Sequence, residues 1–182
     1  FTQEWEDSST TMRASAEYDM SESSMMYISF SQGFKSGGAN NGDCNPHYNP
    51  ENLDAAEIGF KATLADGATT LRGAFFHYDY EDFQARVFTP LGTETFNAEG
   101  ADLHGLEVEV DWIASEQLTV SSSVSYLSSE LKDLTAQDPM APENGFVDMT
   151  GNSLLRAPDL QASLAASYDI PLTSGLLTLQ GD

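Results

Sequence analysis

Strict alternation of apolar and polar residues is the feature that most constrains the fold of this chain. From residue 56 onward, every second residue of one segment is apolar: Ala56, Ile58, Phe60, Ala62 and Leu64. Successive side chains of a β-strand point to opposite faces, whereas a helix needs a period near 3.6. The same period of two recurs around residues 10–18, 26–31, 105–113, 118–126 and 160–168. The pattern predicts an all-β protein in which each strand has one apolar and one polar face.

The connections between these segments alternate in length. Short turns are predicted near residues 19–24, 65–67, 114–117 and 169–175, and longer polar links at 35–52, 88–94 and 132–153. An antiparallel up-and-down barrel in a membrane has short turns on one side and long loops on the other. We therefore expect about seven or eight consecutive strands in up-and-down order. The segment 69–83 is aromatic on both faces, so its facing stays open.

Three features favour a transmembrane β-barrel segment over a soluble β-sandwich. The apolar faces are expected to end, on the short-turn side, in aromatic residues: Tyr18, Trp112, Tyr126 and Tyr168. Such aromatic girdles mark the membrane interfaces of outer-membrane barrels. The polar faces carry small hydroxyl or charged residues, which suits a wet lumen, and the strands exceed the roughly five or six residues usual in soluble domains. We predict part of a larger barrel of roughly 22 strands, with a soluble all-β ligand-binding or adhesion domain as the alternative.

Composition excludes some partners. The 182 residues carry 29 acidic and 7 basic side chains, a formal net charge of −22. Nucleic acid and anionic membrane surfaces both require basic patches, so neither is an expected partner.

The sequence has no basic and apolar leader at its start, and it begins and ends within strand-like segments, so we expect both ends to be internal to a longer chain. The one cysteine, Cys44, is either an isolated loop thiol or paired outside this sequence.

Four segments, in the same order, resemble the barrels of TonB-dependent receptors. Residues 27–38 (YISFSQGFKSGG) are similar to the family's YxSxSxGFKSGG, and residues 50–61 to its PExLxxYELGFK, with Ala56 where an aromatic residue is usual. Residues 97–109 are similar to NAGxAxxxGxExE. Residues 151–158 are similar to GNxLPxAP, with Leu155 replacing the first proline. Together the motifs span most of the chain.

The resemblance implies a function as well as a fold. Such receptors lie in the outer membrane of Gram-negative bacteria and import scarce nutrients, most often ferric siderophores and sometimes vitamin B12, haem or sugars. Import is driven by the TonB complex acting on an N-terminal plug domain of the same chain. Residues 1–182 would be a partial barrel domain, with the plug and the TonB box outside it. The partners implied are outer-membrane lipid, the plug, the TonB complex and a small nutrient, with no cofactor.

The predicted functional residues fall into three groups. Candidate ligand contacts in the extracellular loops are Phe34, Lys35, Tyr48, Phe88, Phe96 and Phe146. Residues expected to face the lumen and the plug are Glu57, Lys61, Glu107, Glu109 and Asp111. Residues expected to face lipid are Ile58, Phe60, Leu106, Val108, Val110, Trp112, Val120, Val124 and Leu164. The loop aromatics could equally pack within the loops, and the carboxylates could simply form a hydrated wall.

Enzymatic chemistry has no support in the sequence. The strand carboxylates have no nucleophile or histidine beside them, so neither a hydrolase nor a general acid–base pair is indicated. The three histidines, His47, His77 and His104, lack metal-ligand spacing. The acidic third loop lacks the residue order of a calcium loop and is expected to be solvated. We therefore predict a binding and transport protein without a bound metal.

Overall fold

The computed structural model describes residues 7–40, 47–89, 92–137 and 142–182, and β-strands make up most of this part. The strands are β1 (Arg13–Ser21), β2 (Ser24–Lys35), β3 (Gly38–Ala39), β4 (His47–Tyr48), β5 (Glu51–Leu64), β6 (Thr69–Glu81), β7 (Gln84–Thr89), β8 (Gly92–Asn97), β9 (Gly100–Ile113), β10 (Leu118–Lys132), β11 (Thr135–Gln137), β12 (Phe146–Asp148), β13 (Leu160–Leu172) and β14 (Gly175–Gly181). Two short 3-10 turns, Ala65–Gly67 and Pro142–Asn144, complete the regular structure of these residues.

The long strands form one eight-stranded antiparallel sheet in the order β1-β2-β5-β6-β9-β10-β13-β14. Each long strand pairs with the next long strand along the chain, so the sheet is a simple meander. The six short strands form three separate two-stranded sheets, β3 with β4, β7 with β8 and β11 with β12, all within the long connections. The predicted all-β, up-and-down architecture with about eight strands is confirmed.

Tight turns join the strands on one side of the sheet. Between β9 and β10, the Ser115 hydroxyl accepts hydrogen bonds from the backbone N–H groups of Gln117 (3.2 Å) and Leu118 (3.1 Å). A serine side chain that bonds the backbone two or three residues on favours a turn over continued strand. The fourth turn is shorter than predicted, because β13 runs on to Leu172 and β14 starts at Gly175. Because consecutive long strands of the meander are antiparallel and the tight turns join them in alternate connections, all four tight turns lie on the same side of the sheet.

The strand register separates the side chains into an apolar face and a polar face. Directly paired residues lie on the same face of a sheet. One row that runs across the sheet is Ile28, Ile58, Phe75, Leu106, Tyr126 and Leu160. The neighbouring row on the opposite face is Ser29, Glu57, Phe76, Gly105 and Leu127.

The apolar face is exposed over its whole width. Exposed large side chains on it are Ile28, Phe30, Ile58, Phe60, Phe75, Leu106, Trp112, Val124, Tyr126, Leu160, Leu164, Tyr168, Leu177 and Leu179. Buried hydrophobic residues are few in the described part of the chain: Phe76, Ala98, Ala101, Leu134 and Ala136. In a soluble β-sandwich the apolar faces pack inward against each other. This sheet instead presents its apolar face outward, as a wall that borders lipid does.

On the loop side, a row of polar residues ends the apolar band. The row contains Gln32, Asp54, Asp79, Asp102 and Glu130. The Lys132 ammonium reaches Asp79 Oδ1 and Asp102 Oδ2, both at 3.0 Å, and the Gln32 amide donates to Asp54 (2.9 Å). The apolar band is therefore bounded by charge before the long connections begin.

Two further sequence predictions about local detail need changing, and the register decides one question that the sequence left open. The second long connection runs over residues 82–99 instead of 88–94, because β7 and β8 form a hairpin of their own. Tyr126 lies near the middle of its strand and not at the short-turn end, since it pairs with Leu106 in mid-β9 and lies eight residues beyond the start of β10 at Leu118. The register also settles the segment left open, placing Phe76, Tyr78 and Tyr80 on the polar face.

Among the described residues, no helix has both the length and the apolar character needed to cross a membrane.

Candidate functional site

On its turn side, the polar face carries a charged network. Arg72 on β6 extends its guanidinium to Glu109 Oε2 (3.3 Å) and Asp111 Oδ2 (2.9 Å) on β9. Asp111 also accepts a hydrogen bond from the Ser121 hydroxyl on β10 (2.8 Å). The residues meet because β6, β9 and β10 are consecutive strands of the meander. The network joins three strands and leaves Glu107 as a further carboxylate on the same face.

Next to this network, Tyr27 and Glu57 form a polar contact. The Tyr27 hydroxyl donates to Glu57 Oε1 at 2.6 Å, a short, charge-assisted distance. The tyrosine ring lies directly over Gly59, where an added Cβ would stand 2.5 Å from the ring. Only glycine leaves room for this ring, so Gly59 positions the hydroxyl. A shallow depression of about 470 Å³ lies here, lined among others by Tyr27, Glu57, Lys61 and Glu107.

On its loop side, the polar face changes from charged to aromatic. Phe76 and Tyr78 stack with ring centroids 5.0 Å apart, and Tyr80 meets Phe83 edge to face at 5.5 Å. The ring of Phe76 covers Gly105 on the neighbouring strand, as Tyr27 covers Gly59. Sequence inspection missed this aromatic wall because β6 is aromatic on both faces. Only the strand register shows which rings lie together.

The long connections form a cap above the aromatic wall. We call residues 36–50 loop 1, residues 82–99 loop 2 and residues 133–159 loop 3. In loop 2, the Gln84 side chain is 8% exposed. Its Nε2 donates to the backbone oxygens of Ser36 (2.9 Å) and Asn49 (3.0 Å) in loop 1. Its backbone N–H donates to Glu51 Oε2 at the start of β5 (2.7 Å).

Two asparagines add to this link between loops 1 and 2. Asn97 accepts from the Asn49 backbone N–H (2.7 Å) and donates to the Asn49 oxygen (3.1 Å). Asn40 pairs in the same two-way manner with the backbone of Thr95, at 2.8 and 2.9 Å. An amide side chain that bonds both the donor and the acceptor of a peptide unit mimics a strand partner. Loop 1 is therefore bonded to loop 2 at two positions of β8, at Asn97 at the base of the hairpin and at Thr95 two residues before it.

Loop 3 joins loop 2 through apolar packing. Ala98, Leu134 and Ala136 are buried together, and Phe83, Ala85, Leu131 and Met149 pack against them. Backbone hydrogen bonds from Glu99 to Asp133 (3.4 Å) and from Met149 to Leu134 (2.7 Å) accompany the cluster. At the end of β12 in the same loop, Thr150 bonds Asp148 through its hydroxyl and its backbone N–H, which lowers the pKa of that carboxyl.

The candidate ligand contacts predicted from sequence are spread over this loop side. Lys35 pairs with Glu51 at 3.8 Å, Tyr48 lies over Gly38, and Phe34 lies at the loop end of β2 on the apolar face. Phe96 in loop 2 is partly exposed, and Phe146 in loop 3 is 75% exposed. Among the described residues, no ring contact joins two of these aromatics. The side chain of Phe88, and Cys44 and Asp138, lie outside the described residues.

The predicted wall residues divide between the two faces. Glu57, Lys61, Glu107, Glu109 and Asp111 lie on the polar face. Ile58, Phe60, Leu106, Val108, Val110, Trp112, Val120, Val124 and Leu164 lie on the apolar face. Within the part of the chain that the structure describes, no group of three or more His, Cys, Asp or Glu side chains is arranged to hold a metal ion. Sequence inspection missed Gln84 and Asn97, since polar loop residues gave no signal of burial.

Comparison with known proteins gives a consistent answer. The sequence model for the family described as "TonB dependent receptor-like, beta-barrel" matches residues 1–181. No curated protein sequence matches significantly. The ferric yersiniabactin uptake receptor FyuA from Yersinia pestis superposes with a TM-score of 0.70 at 22% identity, over 92% of this chain and 24% of that one.

Two further solved structures show the same fold. The ferric preacinetobactin receptor BauA from Acinetobacter baumannii has a TM-score of 0.65 at 18% identity, over 93% of this chain and 24% of its own. The copper transporter OprC has a TM-score of 0.64 at 14% identity, over 86% and 23%. The chain thus spans about a quarter of the length of the solved structures that it matches.

Proposed function

The chain belongs to the TonB-dependent receptor β-barrel family, and from this premise we infer that it forms part of the wall and the extracellular loops of an outer-membrane uptake receptor. The whole receptor would bind a scarce nutrient at its loop side and import it with energy supplied through the TonB complex. No reaction is assigned to it. In this proposal the site residues bind the ligand or form the wall, and none is given a catalytic role.

The observation that carries this proposal is the separation of the two faces. An exposed apolar band crosses the sheet, and a polar row containing Asp54, Asp79 and Asp102 bounds it on the loop side. In a barrel wall the apolar band faces lipid and the polar face lines the lumen. On this arrangement the tight turns are periplasmic and loops 1 to 3 are extracellular. A soluble ligand-binding or adhesion domain would have to cover the same band, and nothing in the sheet does so.

The charged part of the polar face suits a plug domain as its partner. Around the depression on this surface, Glu17, Glu57, Glu107, Glu109 and Asp111 outnumber Arg13, Lys61 and Arg72. Arg72 is already held by Glu109 and Asp111, whereas Glu107 has no cation of this sheet bonded to it. We propose that basic groups of the plug pair with the remaining carboxylates. Such pairs would orient the plug without the cost of an apolar seal that must later open.

The aromatic part of the polar face suits the nutrient. Phe76, which is buried, and Tyr78 and Tyr80, which are half-buried, form this wall beneath the cap. Aromatic walls with few polar groups are usual in small-molecule sites. We propose a ferric siderophore as the ligand, because FyuA and BauA are receptors for ferric complexes of this kind. OprC shares the fold and is a copper transporter, so the fold alone does not determine which ligand is transported.

A growth assay tests the proposal. The gene for the full-length receptor would be deleted and the strain grown in chelated medium, with one nutrient source at a time. The panel contains hydroxamate, catecholate and carboxylate ferric siderophores, haem, vitamin B12 and a copper salt. We expect growth on one ferric siderophore to be lost, and to return with the intact gene but not in a strain lacking TonB. Loss of growth on vitamin B12 or copper alone would refute the siderophore assignment. Unchanged growth on every source, or receptor in the soluble fraction, would refute the uptake function.

A further inference from the structure

We propose that Gln84 is a positioning residue that fastens loop 1 to loop 2. Because loop 2 also packs against loop 3, the three loops then form one connected cap over the loop end of the polar face. Gln84 makes its side-chain hydrogen bonds to backbone oxygens and not to the candidate ligand contacts. It acts through the backbone of loop 1, where its Nε2 bonds the oxygens of Ser36 and Asn49. These two oxygens lie near the two ends of loop 1, so the Gln84 amide bridges the base of the loop, and Asn97 adds two bonds to Asn49.

Burial makes this contact hard to replace. Gln84 is 8% exposed, and a buried amide that loses its partners keeps the cost of its desolvation. The backbone N–H of Gln84 is fixed at the same time by Glu51, so the residue cannot rotate away as a unit. Two hydrogen bonds into loop 1 therefore depend on one side chain whose own position is set by the barrel wall.

The cap is anchored on the polar side of the wall. Glu51, Tyr80 and Leu131 all have polar-face positions in the register. Glu51 bonds Gln84, Tyr80 meets Phe83, and Leu131 packs in the cluster that joins loops 2 and 3. All three anchors draw loops 2 and 3 toward the side that we assign to the lumen. That the cap serves ligand capture rests on the proposed function, whereas the linkage itself does not.

The link from loop 2 to loop 1 and the link from loop 2 to loop 3 differ in chemistry, so different substitutions can break them one at a time. Loop 1 is attached by amide hydrogen bonds, and loop 3 by the apolar cluster around Leu134. Removing an amide should release loop 1 and leave loop 3 in place. Removing an apolar side chain should do the reverse. Loop 2, which carries both links, should loosen partly in either case.

Hydrogen exchange measured by mass spectrometry on the full-length, ligand-free receptor in nanodiscs tests the linkage. Gln84→Ala should speed exchange in loop 1 by roughly tenfold, the effect of about 1.4 kcal/mol from two lost hydrogen bonds, and leave loop 3 unchanged. Leu134→Ala should speed loop 3 and leave loop 1 protected. Arg86→Ala, at an exposed position of the same strand, is the matched control and should change neither loop.

The proposal would be overturned if the exchange rate of loop 1 were the same in Gln84→Ala and Arg86→Ala. It would also be overturned if Gln84→Ala accelerated exchange equally in all three loops. If Gln84→Ala does not assemble, Gln84→Met keeps a side chain of similar length and removes the N–H donors to Ser36 and Asn49. Faster loop 1 exchange in that variant supports the linkage, and unchanged exchange refutes it. Because no ligand is present, this result is separate from the growth assay. A linked cap in a receptor that transports no siderophore would disprove only the proposed function.

Discussion

Val124 and Ser125 offer a direct test of which face borders lipid. They are neighbours on β10, so the same substitution at each position places the same side chain on opposite faces. Val124 is 50% exposed and lies between Val108 and Ala162. Ser125 lies between Glu107 and Gln161. We compare Val124→Arg with Ser125→Arg in the full-length receptor.

The expected loss of folding stability in Val124→Arg follows from the side chains around position 124. The next carboxylate on the apolar face of β10 is Glu130, six residues away, or about 20 Å at roughly 3.4 Å per residue. An arginine side chain at position 124 cannot span that distance, so its charge would remain in the apolar band. Arginine at the bilayer midplane destabilises a barrel by about 2–4 kcal/mol, which is roughly 30- to 700-fold in the folding equilibrium. At position 125 the guanidinium would instead lie beside Glu107.

The assay is urea unfolding of the receptor folded into lipid vesicles, with the heat-dependent shift in gel mobility used to follow assembly in cells. Val124→Arg should lower the urea midpoint and the assembled fraction. Ser125→Arg should stay close to the unsubstituted receptor. Equal losses in the two variants would refute the assignment of faces, and a larger loss for Ser125→Arg would reverse it.

Further predictions concern the polar face and the loops. Gly59→Ala should lower stability by about 1–3 kcal/mol, because the added Cβ displaces the Tyr27 ring and its bond to Glu57; urea unfolding measures this against Gly175→Ala, where the space is open. Arg72→Gln should cause a small loss of stability at low salt that disappears at high salt, since exposed ion pairs are screened; a loss that persists at high salt would argue against an electrostatic origin. The lowered pKa of Asp148 means that its hydrogen bonds to Thr150 stabilise loop 3 above the ordinary carboxyl range and are lost as pH falls through the lowered value. Exchange protection of loop 3 should therefore fall in acid, and less so in Thr150→Val. The opposite order for these two proteins would contradict that account.

Alternation predicted the strands well because it is a local property. One residue of shift would move a whole strand to the other face, so segments such as that from Ala56 to Leu64 leave little freedom. The β6 segment could not be assigned in this way, because Phe75 and Phe76 are equally apolar and only pairing with β5 and β9 distinguishes them. Tyr126 was misplaced for a different reason. The predicted turn at residues 114–117 already put it nine residues from the turn, so the prediction of an interfacial position rested on its aromatic side chain and not on its place in the strand.

The cap was beyond the reach of sequence patterns. Gln84, Asn97 and Asn40 are ordinary loop residues by composition, and their partners are backbone atoms far along the chain. A side chain that bonds a peptide group constrains the partner's position but not its residue type, so it leaves no trace in the partner's sequence. The apolar cluster around Leu134 gave a slightly stronger signal, since an isolated apolar residue in a polar loop needs some cover.

The pairing of every long strand with its neighbour along the chain has an evolutionary consequence. Removing the β9–β10 hairpin would bring β6 next to β13, with the strands still antiparallel and the tight turns still on one side. Loss of a single strand would instead make neighbours parallel and place a tight turn among the loops. The unit that such a wall can gain or lose is therefore a pair of strands, in keeping with the even strand numbers of bacterial single-chain barrels. The circumference of a barrel can change in this way while every strand keeps an antiparallel neighbour on each side.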